Sequence, residues 1–127
     1  MKSLIVVFSN LPDLSSMSGA YGDIGSTKMQ SPTRLVVEGT WGWFAIALDR
    51  ELEAEFSDNE RARITKLIAK PVYAQLEYSN SSAADLAIEL MPVAAATLID
   101  NDHGMLRSIE EVRDLIRAGM EWQTLSL

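Results

Sequence analysis

The sequence predicts an α/β or α+β domain, a single mixed β-sheet of about five strands covered by about three helices. Three observations point there. Short β-branched apolar runs recur along the chain, helix-start signals of one kind recur in its second half, and strands and helices alternate in that half. The chain has 127 residues, the size of one domain, so 1–127 is taken as a single unit with one core.

The first element, Lys2–Phe8, is short, β-branched and apolar, the pattern of a buried strand. Residues 9–33 follow, rich in Ser, Gly and Pro, and read as one long loop, mobile or functional. Arg34–Glu38 and Trp43–Leu48 read as two strands of a hairpin, joined by Gly39-Thr40-Trp41-Gly42. Asp49–Glu60 is a charge block in which Leu52, Ala54 and Phe56 alternate with acids, the pattern of a strand extension with one wet face. On such a strand Asp49, Glu51, Glu53 and Glu55 share that face.

Three helix starts come next. Ser57-Asp58-Asn59-Glu60 is a capping box, followed by an apolar face of Ile64, Leu67 and Ile68 and a stop at Pro71. Ser82-Ala83-Ala84-Asp85 is a looser start, with Leu86 and Leu90 on one face before Pro92. Ser108-Ile109-Glu110-Glu111 is the third; Ile109, Val112, Leu115 and Ile116 form its stripe and Gly119 its C-terminal cap. Val72–Tyr78 and Ala94–Ile99 are the strands between, and a short end strand is expected near Trp122.

Composition narrows the function classes. The absence of cysteine removes disulfide scaffolds, thiol nucleophiles and cysteine metal sites. A net charge of −7 disfavours nucleic acid and anionic membrane as partners, and favours a basic protein. No apolar run approaches the roughly 20 residues of a membrane span. Lys2 and the run Leu4–Phe8 resemble the start of an export signal, but the run is too short and Asn10 and Asp13 follow it, so a cytoplasmic chain is expected.

The residues with the most chemistry are Asp100-Asn101-Asp102-His103-Gly104, after the apolar run that ends at Ile99. A strand ending in Asp-x-Asp is the pattern with which two carboxylates hold magnesium in phosphoryl transfer. Too little chain follows to build the rest of such a site. Read as a calcium loop, the stretch has Met105 where a glycine is required. A tight turn with Gly104 at positive φ is the expectation, and no catalytic residue, cofactor or metal is assigned. His103 is the only histidine, and no nucleophile elbow accompanies it. The glycines of Gly19–Gly25 match neither phosphate-loop spacing. Partner contact is therefore assigned to the acids Asp49, Glu51, Glu53, Glu55 and Asp58, and to Asp100, Asp102 and His103.

The tail, Thr97-Leu98-Ile99-Asp100-Asn101-Asp102-His103-Gly104 with Ser108-Ile109-Glu110-Glu111 and Gly119 through Trp122, resembles the small immunity proteins encoded beside bacterial polymorphic or contact-dependent inhibition toxins. The resemblance covers about the last third of the chain. It implies a cytoplasmic, non-enzymatic protein that binds and neutralises one cognate toxin domain, often a nuclease. A nuclease is basic where it holds nucleic acid, so an acidic partner suits it. Two other readings stand beside this one: a small metal-dependent hydrolase or phosphoryl-transfer domain using Asp100 and Asp102, and a structural or adaptor subunit that self-associates through its hairpin.

Overall fold

The strand periodicity resolves into one sheet whose two faces are covered unequally. The computed structural model describes residues 2–93 and 95–126. Its strands are β1 (Lys2–Phe8), β2 (Ser26–Ser31), β3 (Arg34–Gly39), β4 (Gly42–Leu48), β5 (Val72–Tyr78), β6 (Thr97–Asp100) and β7 (Leu106–Ser108). Ala94, at the start of the expected strand Ala94–Ile99, lies outside the described residues; the observed strand begins at Thr97. The helices are α1 (Leu14–Tyr21), α2 (Asp58–Leu67), α3 (Ser81–Leu90) and α4 (Ile109–Arg117), with 3₁₀ helices at Arg50–Glu55 and Trp122–Thr124.

The strand order is β2-β3-β4-β5-β1-β6-β7, and every neighbouring pair is antiparallel. The sheet therefore has seven strands rather than about five, and it is not mixed. The β-α-β alternation did signal strands running the same way: β5 and β6, joined through α3, are both antiparallel to β1. But β1 lies between them, so no parallel pair forms. That central position explains the apolar run of β1, since Val6 serves the main core and Val7 the smaller cluster on the other face.

The segment 9–33 is not one loop. It holds α1 and the edge strand β2. Asp13 caps α1, its carboxylate accepting from the backbone N–H groups of Ser15 and Ser16 at 3.0 and 3.3 Å. The Ser16 hydroxyl, with those bonds, holds the Asp13 carboxyl below its ordinary value. Leu14, Met17 and Tyr21 fall on one face and are buried. The Tyr21 hydroxyl donates to the Ala87 carbonyl at 2.7 Å, and burial pushes that phenol far up.

Leu35, Phe44, Ile46, Leu76 and Ile99 on the first face pack with α1, α3, α4 and the fully buried Trp122. On the second face Val7, Tyr73 and Leu98 meet Leu52 of the first 3₁₀ helix, Phe56 just after it, and Ile64 and Ile68 from the α2 end. Further along this face, Arg34 and Glu77 form a 3.0 Å ion pair.

The helix starts are formed as the sequence indicates, with one shift. Ser57 and Glu60 make the reciprocal capping box, and the Ser108 hydroxyl accepts from the Glu111 N–H. α3 opens at Ser81 rather than Ser82, because Asn80 caps it, accepting from the Ala83 N–H at 2.8 Å while donating to the Trp41 carbonyl at 2.9 Å. In the β3–β4 turn, Gly42 has φ +128°, and a Cβ there would come within 2.3 Å of the Ser79 hydroxyl, so only glycine fits. The end strand expected near Trp122 is instead the second 3₁₀ helix.

Candidate functional site

The acidic block does not extend β4. Asp49 caps a 3₁₀ helix, accepting from the Glu51 N–H at 2.9 Å, and Leu52 turns inward. Phe56 closes the segment, its ring 5.6 Å from that of Tyr73. With about three residues per turn, a 3₁₀ helix cannot align alternate residues. Asp49, Glu51, Glu53 and Glu55 thus do not share one strand face. They are spread around the 3₁₀ segment as an acidic ridge, and with Asp58 all are exposed. Among the described residues, Asp58 is the one acid of these five in an ion pair, with Arg61 of its own helix. Among the described residues, Arg63, Lys66 and Lys70 form no ion pair with these acids.

Asp100 ends β6 with its side chain on the second face, the face of the ridge. It is 9% exposed, and its carboxylate accepts from the Asp102 N–H at 2.8 Å. Burial pushes its pKa up. The Asp102 N–H opposes this, while the negative charges of Glu60, Asp102 and Glu55 add to it.

A carboxyl raised on folding stabilises the fold most below its unfolded value of 3.8, and that contribution is lost as pH rises through the folded value. At neutral pH the ionised group is therefore a cost. Asp100→Asn removes the charge and keeps the acceptor, so it should be more stable than the parent at pH 7. The gain should vanish at about pH 3, where the parent carboxyl is protonated. Urea unfolding at both pH values decides the matter; a variant no more stable at pH 7 would mean that Asp100 is well solvated.

The stretch Asp100–Gly104 is a tight bend, with Asp102 at φ +64° and Gly104 at φ +95°. Its organiser is Asn101, which is 2% exposed. Asn101 Nδ2 donates to the carbonyls of Trp122 and Leu125 at 2.8 and 2.7 Å, and Oδ1 accepts from the N–H groups of His103 and Met105 at 2.9 and 3.1 Å. Asp102 and His103 are exposed. They line a polar recess of about 280 Å³ with Lys2, Tyr78, Ser81 and Gln123. Gln123 Nε2 donates to the Ser81 carbonyl and the Asp85 carboxylate, which fixes the amide and leaves Oε1 without a partner among the described residues.

The assigned residues thus fall into two groups. Asp100 joins the field of Glu55 and Glu60 near the ridge, while Asp102 and His103 open into the recess. Among the described residues, no three His, Asp or Glu side chains converge in a way that could hold a metal ion, and no helix is long and apolar enough to cross a membrane. Sequence reasoning missed Asn101. Asn101 sat inside the singled-out motif, but its polar neighbours carry the more familiar chemistry. Comparison with protein-family models, curated proteins and solved structures finds no match to this chain.

Proposed function

We propose that this chain is a protein-binding module that docks a basic protein domain, and that the partner is a bacterial toxin which it neutralises in the cytoplasm. The observation that carries the reading is the ridge. Four exposed carboxylates, without an ion-pair partner among the described residues, are held on one 3₁₀ segment anchored below by Leu52 and Phe56. Like charges so arranged repel one another at a cost to the fold, and a cationic surface relieves that cost. The resemblance of the tail to immunity proteins and the net charge of −7 support the same partner class.

The test starts from the gene upstream of this one. If it encodes a large secreted protein, its C-terminal domain, expressed alone, should arrest growth, and co-expression of this chain should restore it. Failure to restore growth would remove the toxin reading.

The ridge has its own expected outcome. Glu51→Lys with Glu53→Lys should slow association with that domain by about tenfold or more at low salt, within the range of electrostatic steering. The defect should shrink as salt screens the exposed charges. Circular dichroism should be unchanged, because both side chains are exposed. An association rate unaffected at low salt would move the docking face elsewhere.

A further inference from the structure

One end of the sheet gathers the C-terminal ends of β1 and β4 and the N-terminal ends of β5 and β6, through the pairs Phe8↔Val72, Phe8↔Thr97 and Leu48↔Ala74. A groove of about 330 Å³ opens there beside the acidic ridge. Leu48, Pro71 and Val72 supply apolar wall, and Leu11, 72% exposed, stands over it. Asp49 and Glu53 form the rim, with Arg50 as the one cation among the lining residues. Tyr73 lines the groove as well. It is 3% exposed; burial, with the charge of Glu53, raises its phenol against the opposing charge of Arg61, and its hydroxyl, itself closed to solvent, has no hydrogen-bond partner among the described residues.

Resting on the reading of a basic partner, we infer that this groove receives an arginine side chain of that partner. The groove matches an arginine in three ways. Its apolar wall suits the aliphatic stem. The two rim carboxylates of Asp49 and Glu53 present several acceptors to a head with five N–H donors and no acceptor of its own. Leu11 supplies an exposed apolar neighbour of the kind that shields a desolvated anchor from water.

The probe is n-propylguanidinium, with n-butanol as its neutral counterpart of similar length, each titrated into the isotope-labelled chain and followed by amide chemical shifts. The guanidinium should shift Leu48, Val72 and Tyr73 with a dissociation constant in the millimolar range, and butanol should shift them several-fold less at equal concentration. Asp49→Asn with Glu53→Gln should weaken the guanidinium response several-fold; asparagine retains the capping acceptor, so the 3₁₀ helix should persist. Equal shifts with butanol would make the occupant apolar and overturn the inference. So would guanidinium shifts confined to other surfaces. Shifts at Leu11 and Val72 that depend on protein concentration alone would put a second copy of the chain in the groove instead. Growth rescue with no groove response sinks the groove alone. A groove response with no rescue sinks the toxin and leaves the cation site.

Discussion

Asn101→Ala should lower the stability of the fold by about 3 kcal/mol or more. Alanine removes four side-chain bonds at once and strands three backbone groups, the Leu125 carbonyl and the N–H groups of His103 and Met105, while the Trp122 carbonyl keeps the Leu125 N–H. Each unmet buried group costs about 1–3 kcal/mol, and water entering at the part-buried ends offsets some of that. The bonds to Trp122 and Met105 are buried, where water gives least relief. Asn101→Asp should also be damaging, since it keeps the two accepted bonds but turns a carboxylate towards two carbonyl oxygens. Urea unfolding measures both variants. A loss below about 1 kcal/mol for the alanine would show that the bend is held by other means.

Trp122→Ala should cost a comparable ~3–5 kcal/mol, the usual range for removing a buried aromatic side chain. Trp122 is fully buried, and its indole N–H donates to the Asp85 carboxylate at 2.7 Å, a group that Gln123 also reaches. Trp122→Phe separates the two contributions, keeping most of the volume and losing the bond. Because Asn101 holds the Trp122 carbonyl, the two alanine losses should not add; the double variant should lose less than their sum. Strict additivity in a double-mutant cycle would contradict a shared network joining the bend, the second 3₁₀ helix and α3.

What the sequence disclosed was local. The capping box at Ser57, the cap at Ser108 and the positive φ of Gly104 are each set by a few neighbouring residues, and all are found in place. β1 and β5 announce themselves through buried apolar side chains. β2 does not, because it is an edge strand whose side chains are almost all exposed, so selection on burial leaves no alternation to read. α1 escaped for a related reason: it is short, rich in Ser, and buries only Leu14, Met17 and Tyr21. In the acidic block, apolar residues spaced by two suggested a strand, but Leu52 and Phe56 are buried while Ala54 stays exposed. The spacing that mattered was four. The charge of the candidate site was therefore legible, and its shape was not. The groove beside it is assembled from segments distant in sequence, around Leu11, Leu48 and Val72, which only the tertiary fold brings together.

The strand order also sets a timetable. β2, β3 and β4 are sequential neighbours joined by short turns, so their pairing closes small loops and needs no other part of the chain. β1 is synthesised first, yet its partners are β5 and β6, the latter near the end of the chain. On the ribosome the most apolar strand must therefore wait, with both edges unpaired, until Val72–Tyr78 and then Thr97–Asp100 have emerged. Such non-local pairings form late and leave an exposed strand open to wrong partners meanwhile. Pulse-labelled hydrogen exchange during refolding should accordingly protect amides of β3 and β4 before those of β1. The reverse order would mean that collapse around Val6 and Val7 precedes the meander.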